Sequence, residues 1–470
     1  MYDLVVIGAG TGGLTAARLV ARQGKKVALV ERDRPGGDCL WTGCVPTKAL
    51  IHAARVLHDA STGGRFGVQA AELRLDFEEV RRHVAASQEA AGRVDSAEEI
   101  SSWGVELVRG DAKFVDEHTV TVAGRRLQAR AFVIATGSKP AVPSIPGMDE
   151  AGFDTNVELL DWQALPRSLA ILGGGPIGVE FAQVMCRFGV QVTLIERLPR
   201  LLEREEPDAS IVVERVLRAE GVEVVTGANV VRVERDGAFR RVWLEESGPE
   251  TAITCERLAA ATGRKPVLGS LNLEAAGVAA SPRGVKVNAY LRTSQPHIFA
   301  VGDVNGGPQF THVAEDQART VTRTLLSGGR LRSRAARWNG RVVPRVTYTD
   351  PEVAAVGLTE EQAQRSRKGV RTWQVPLTDI DRAITMGQTE GFLQLVTARG
   401  WQSRIPGLAK RVGDEIVGAC FVGPNAGELL MPVVMAMRAR LPIGMVAWNM
   451  QAYPTLALGV RQVAGLPFES

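Results

Sequence analysis

Cys39 and Cys44 are the residues best suited to chemistry in this 470-residue chain. They stand five positions apart in GGDCLWTGCVPTK, residues 36–48, with Trp41 and Gly43 between them. Three chemistries are open to such a pair: a redox disulfide, half of a metal clip, or two inert core thiols. In a regular helix, residues i and i+5 hold their Cα atoms about 8–9 Å apart. A disulfide needs less than roughly 7 Å. The pair can therefore bond only if a helix begins between the two or just after them. Gly43 and the flanking Gly36–Gly37 permit such an irregular entry. A thiol near a helix N-terminus also has its thiolate stabilised, which suits redox work. A zinc clip needs two more ligands at short spacing. Cys186, Cys255 and Cys420 are isolated and no CxxC or HxxxH pair occurs, so no metal site is expected.

A redox pair needs an electron source, and the surrounding elements supply a pattern for one. An apolar run from Tyr2 to Ile7 ends in GAGTGG; a helix-like segment follows, then KKVALVE ending at Glu31. This is strand, glycine turn, helix, strand. The pattern returns at SLAILGGGPIG, VEFAQVMCRFG and VQVTLIE, so that Gly8, Gly10, Gly13 and Glu31 map onto Gly173, Gly175, Gly178 and Glu196, each shifted by 165. In such units the first glycine makes a tight turn, the second admits a pyrophosphate, and the third lets helix and strand pack closely. The phosphates meet the helix N-terminus, and the terminal acid accepts hydrogen bonds from a ribose diol. Two units imply two dinucleotides, or one dinucleotide and a pseudo-repeat. Glu196 repels a 2′-phosphate and favours NADH over NADPH, although Arg197 and Arg200 nearby soften that preference.

Two further strand-like runs end in a threonine–glycine pair, FVIATGSKP (132–140) and LAAATGRKP (258–266). HIFAVGD reads as a buried strand ending at Asp303. Residues 327–345 hold six arginines and read as a solvated linker. Beyond it, RVTYTD, EGFLQLVT, EIVGACFVG and two helical stretches suggest a separate α+β domain. The length allows roughly two to four domains. A net charge of +4 spread along the chain gives no nucleic-acid patch. No run of 18 apolar residues predicts a membrane span, and no charged leader precedes the first apolar run. Together with the odd count of five cysteines, this reads as a cytoplasmic enzyme.

The cysteine motif, the twin glycine units, the ATG segments and AVGD together resemble the flavin-dependent pyridine nucleotide–disulfide oxidoreductases over nearly the whole chain. The resemblance implies an α/β fold with two Rossmann-like domains and a C-terminal α+β dimerisation domain. It implies FAD bound by residues 1–150 and 271–340, a nicotinamide nucleotide by 151–270, and a homodimer formed through 341–470. Cys44 would be the charge-transfer thiol and Cys39 the interchange thiol facing substrate. Lys48 would stand beside the flavin, paired with Glu180 of IGVEFA. Asp303 would bind the ribityl chain, with FTHVAED (310–316), including Ala314, beside the ring. Ala112, Thr136 and Gly137 complete the implied FAD set, and Gly263 joins the nucleotide set of the second unit.

The ending departs from the family pattern. Its disulfide reductases end in HPTxxE, where the histidine reaches in from the partner subunit as acid–base. Here YPTLAL puts Tyr453 in place of the histidine and Leu458 in place of the glutamate. Tyrosine titrates near 10 against about 6.5 for histidine, so it shuttles protons poorly at neutral pH. A tyrosine there is similar to mercuric reductases, whose acceptor is a thiol-bound metal ion, but their C-terminal cysteine pair is missing. The expectation is an NAD(P)H-dependent, mercuric-reductase-like enzyme that reduces a small disulfide or soft metal ion. Dihydrolipoamide dehydrogenase activity and direct reduction of quinones by the flavin are the alternatives.

Overall fold

The apolar run at residues 2–7 forms the strand Leu4–Ile7, all of it buried. In the computed structural model, which describes residues 1–69, 72–245, 249–326, 337–405 and 407–469, this strand is the centre of a five-stranded parallel sheet. The order is Ile298–Ala300, Phe132–Ile134, Leu4–Ile7, Val27–Glu31, Val105–Arg109. Strands covered on both faces read as continuous apolar runs rather than alternating ones, which is why they stand out in the sequence. Helix Thr11–Ala21 makes the crossover and packs on helix Thr311–Leu326. The second unit repeats the plan, with Glu223–Thr226, Gln191–Glu196, Ser168–Leu172 and Arg257–Ala260 in one parallel sheet. In each copy the third glycine is obligatory. A Cβ on Gly13 would stand 1.8 Å from the Gly8 carbonyl oxygen, and one on Gly178 would stand 1.8 Å from that of Gly173.

The two units cross at their ATG segments. Strand Ser138–Pro140 pairs antiparallel with Arg264–Pro266. Ala141 N–H donates to the Gly263 carbonyl at 2.9 Å, and Val267 N–H donates to that of Gly137 at 3.0 Å. The Thr136 hydroxyl reaches Val267 O, and the Thr262 hydroxyl reaches Ala141 O. These four bonds form two pairs related by a shift of 126 residues (267 − 141 = 126). Each unit also carries a three-stranded antiparallel insert, at 112–128 and at 229–255, which the sequence reading did not anticipate.

The C-terminal strands form a five-stranded antiparallel sheet in the order Pro344–Thr347, Glu352–Gly357, Glu415–Gly423, Phe392–Ala398, Arg371–Pro376. Two of its three inner strands, Glu415–Gly423 and Phe392–Ala398, are buried throughout. One face, with Val353, Ala355, Phe392 and Val422, packs into the core of the second unit. The other, with Leu393, Leu395, Ala419 and Phe421, receives the helices Met431–Ala439 and Ala457–Gly465.

Two readings are corrected. The strand of HIFAVGD stops at Ala300, because Gly302 turns at φ +74° into a 3₁₀ turn, Gly302–Asn305, that carries Asp303. The arginine-rich stretch is not uniformly solvated. Its residues 327–336 lie outside the described residues, but Arg345 pairs with buried Glu205 at 2.7 Å and Arg341 with Glu415 at 3.4 Å.

A polar seam joins the second unit to the C-terminal sheet. Helix Pro176–Arg187 presents Glu180, Gln183 and Arg187 along one face, at the spacing that aligns side chains on a helix. Glu180 accepts the Tyr348 N–H and Gln183 the Asp350 N–H, both at 2.8 Å. Arg187 grips Glu220 with two nitrogens, at 2.6 and 2.8 Å, and reaches Asp350 at 3.1 Å. Its side chain is only 6% exposed. Removing one partner strands a buried charge, so Arg187→Met is expected to cost about 3–5 kcal/mol. Urea unfolding should show a lowered midpoint, with much of the loss recovered in Arg187→Met/Glu220→Met.

Candidate active site

The helix breaks between the two cysteines. Gly37–Trp41 forms a short helix that carries Cys39, Thr42 and Gly43 leave helical geometry, and Cys44 opens the 19-residue helix Cys44–Thr62. A Cβ on Gly43 would lie 2.8 Å from the Asp38 carbonyl oxygen, so the chain can fold back here only with glycine. The thiols are unjoined in this structure. Cys44 opens onto a cavity and is otherwise enclosed by protein, with its Sγ 3.5 Å from the Thr311 hydroxyl. The hydrogen bond from Cys39 lowers its pKa to about 6, helped by Thr311 and the Lys48 ammonium and opposed by burial. The same bond, together with burial, drives Cys39 upward. The dithiol thus keeps its proton on Cys39 and its negative charge on Cys44, at a helix N-terminus.

Lys48 lies one turn further along that helix and donates to Glu180 Oε2 at 2.8 Å. Glu180 is 5% exposed and Lys48 34%. They form a pair buried on one side and open on the other, with the Tyr348 N–H satisfying the second carboxylate oxygen.

The cavity, of about 420 Å³, runs from Glu31 past Gly8 and Gly10 to Cys39, Cys44 and Lys48. Ala112, Thr136, Gly137, Glu180, Asp303 and Ala314 also line it. Gly13 sits behind its wall, against Gly8. The residues fit a dinucleotide. Helix Thr11–Ala21 begins at Gly10 with no side-chain cap, leaving its first N–H groups for a phosphate. Glu31 is oriented by the Ala9 N–H at 2.7 Å and the Asp33 N–H at 2.9 Å. Asp303 accepts the Ser138 hydroxyl at 2.6 Å, and burial pushes its carboxyl up. Arg264, from the second unit's return strand, reaches Asp38 and Ser138 at the same wall.

Outside this cavity the second unit repeats the arrangement. Glu196 accepts the Gly174 N–H at 2.6 Å and the Leu198 N–H at 2.8 Å. Gly175 caps helix Pro176–Arg187 without a side chain, and open space faces it. Gly173 makes the turn and Gly178 the close approach, while the Gly263 carbonyl is taken by the crossing described above. Arg200 is engaged with Glu203 and with the carbonyls of Glu203 and Glu205.

Tyr453 is not among the residues that converge on the cysteines. It is 71% exposed on the C-terminal unit and donates its hydroxyl to Asp381 at 3.0 Å, which raises its pKa. Thr311 lies in the FTHVAED segment expected beside the ring, though its contact with Cys44 was not foreseen, and Tyr348 joins the site without having been singled out from sequence. Their partners lie 267 and 168 positions away, and no local pattern marks such contacts. Among the described residues, no group of three or more His, Cys, Asp or Glu is placed to hold a metal ion, and no helix is long and apolar enough to cross a membrane.

In the reduced protein, alkylation of Cys44 by iodoacetamide should follow a titration near pH 6. Thr311→Val should move that midpoint upward by removing a donor to the thiolate, read by peptide mass spectrometry across pH 4–9.

Residues 2–318 match the family model described as pyridine nucleotide-disulphide oxidoreductase, and residues 343–464 match its dimerisation domain. A mercuric reductase of Bacillus cereus is 35% identical over 469 residues, covering 100% of this chain and 72% of that protein. A dihydrolipoyl dehydrogenase of Thermus scotoductus is 34% identical, covering 98% and 96%. Among solved structures, a Cu(II) complex of the HOCl-induced flavoprotein disulfide reductase RclA from Escherichia coli superposes with a TM-score of 0.84. It is 29% identical, with 98% of this chain and 99% of that one covered. With both halves of the chain matched and the cysteine pair set against a dinucleotide cavity, the chain belongs to the pyridine nucleotide-disulphide oxidoreductases, NAD(P)H-dependent flavoenzymes with a redox-active cysteine pair.

Proposed function

We propose that this oxidoreductase takes electrons from NADH and delivers them through Cys39 and Cys44 to a soft, thiol-bound metal ion of the mercuric type. The observation that carries the reading is the tyrosine that stands where the disulfide reductases have a histidine: Tyr453 donates to Asp381 at 3.0 Å, which raises its pKa. In the cysteine pair, the bond to Cys44 and burial raise Cys39. Attack by Cys39 on an organic disulfide requires a base to remove its proton, and such a tyrosine is not a base at neutral pH. A soft cation needs no base, because coordination itself expels a thiol proton. The net reaction takes a hydride from the nicotinamide and gives two electrons to the ion; its two thiolate ligands leave as thiols, protonated by the hydride's proton and one from solvent.

Gly8, Gly10, Gly13, Glu31, Ala112, Thr136, Gly137, Asp303 and Ala314 would hold the FAD, on residues 1–150 and 271–340. Gly173, Gly175, Gly178, Glu196 and Gly263, on 151–270, would hold the nicotinamide nucleotide. A bound flavin supplies the two-electron relay between nicotinamide and dithiol. Lys48 and Glu180 balance charge at the open end of the cavity, where a paired ammonium and carboxylate need no reorganisation. Cys44 carries the thiolate and Cys39 presents its sulfur to the acceptor. Residues 341–470 would form the homodimer, with Tyr453 acting across the subunit interface. A second reading, reversible oxidation of a dihydrolipoyl group, is favoured by the Thermus relative at 34% identity.

An acceptor panel of mercuric ion with excess thiol, lipoamide, glutathione disulfide and a quinone separates the two. Mercuric ion is expected to show the highest kcat/KM. Cys39→Ser and Cys44→Ser should each lower mercuric reduction by roughly 10³-fold or more while quinone reduction survives. Rapid lipoamide turnover at neutral pH with negligible mercuric reduction would reverse the assignment.

NADH should exceed NADPH in kcat/KM by about tenfold, the ratio that about 1.4 kcal/mol of repulsion between Glu196 and a 2′-phosphate produces. Glu196→Gln should narrow that ratio in paired steady-state assays.

A further inference from the structure

Tyr348 is bound to both members of the Lys48–Glu180 pair by different parts of itself. Its backbone N–H donates to Glu180 Oε1 at 2.8 Å. The Lys48 ammonium, which donates to the other Glu180 oxygen, also lies over the Tyr348 ring, 4.5 Å from its centroid. An ammonium over an aromatic face is attracted by the ring quadrupole. The lysine stem has four rotatable bonds, and a single carboxylate oxygen leaves it several ways to approach. The ring closes off one side of that freedom. Tyr348 follows the C-terminal strand Pro344–Thr347 and opens the segment that Gln183 and Arg187 fasten down. The backbone that carries the ring is therefore held by the seam of Glu180, Gln183 and Arg187.

We infer that Tyr348 is a positioning residue for Lys48, its ring fixing where the ammonium stands in the cavity wall. The consequence for electron transfer rests on the proposed placing of the Lys48–Glu180 pair beside the flavin; the ring clamp itself does not.

The test uses the flavin-loaded full chain with Tyr348→Leu, Tyr348→Met and Tyr348→Phe. Each keeps the backbone N–H, and only phenylalanine keeps an aromatic face. Acylation of Lys48 by an N-hydroxysuccinimide ester is followed by peptide mass spectrometry, with exposed Lys139 as the internal reference. The Leu and Met variants are expected to acylate Lys48 between about threefold and tenfold faster than the parent, with Phe within about twofold. Stopped-flow reduction of the flavin by NADH should fall by a similar factor in its limiting rate, with the KM for NADH unchanged, and Phe should restore it. Equal Lys48 acylation in the parent, Leu and Met proteins overturns the inference. Faster acylation with an unaltered limiting rate upholds the clamp and overturns the placing of the pair beside the flavin.

Discussion

A carboxylate sealed from water must be met by donors, and Glu180 is met by two from distant parts of the chain. Lys48 comes from the helix that Cys44 opens, and the Tyr348 N–H comes from the start of the C-terminal unit. Leaving such a group unpaired is far more costly than any single hydrogen bond is stabilising. That cost sets the register of three packed parts at once: the helix with the thiols, the second unit, and the sheet behind both. Gln183 and Arg187 continue the same face of one helix, so the site and the seam are one object.

The division of charge between the cysteines follows first from the hydrogen bond between them, which lowers Cys44 and raises Cys39. Cys44 also opens a 19-residue helix, whose dipole favours a thiolate there. Thr311 adds a hydroxyl and Lys48 an ammonium on the same side. The chain thereby makes one thiol acidic and leaves the other protonated, without a histidine within the site. Tyr453 stands apart from this pair, bonded to Asp381, and the acidity of Cys44 comes from its own neighbours.

Some of this was legible in the sequence because only one residue type could satisfy the geometry. Gly13 and Gly178 face carbonyl oxygens at distances no side chain tolerates, so their spacing repeats without drift. Gly43 marks the break that lets Cys44 start a helix. Doubly covered parallel strands announce themselves as unbroken apolar runs, which marks the central strands of both sheets but not the edge strands Val105–Arg109 and Glu223–Thr226. The strands Glu352–Gly357 and Arg371–Pro376 and the two antiparallel inserts were not found, since short runs need their neighbours to be strands. Tyr348, and the contact of Thr311 with Cys44, were invisible for a related reason: their importance lies in partners brought close only by the finished fold.

The crossing of the ATG segments bears on how such a chain could be rebuilt. Each nucleotide unit lends its return segment to the other, through paired strands and a matched set of backbone bonds. Neither unit is consequently a module with a clean edge. A graft that swapped only residues 151–270 to change nucleotide preference would carry one half of an interlock and leave the other behind. The two halves of the crossing are best inherited together, since Thr136 and Thr262 each bond a carbonyl of the other segment.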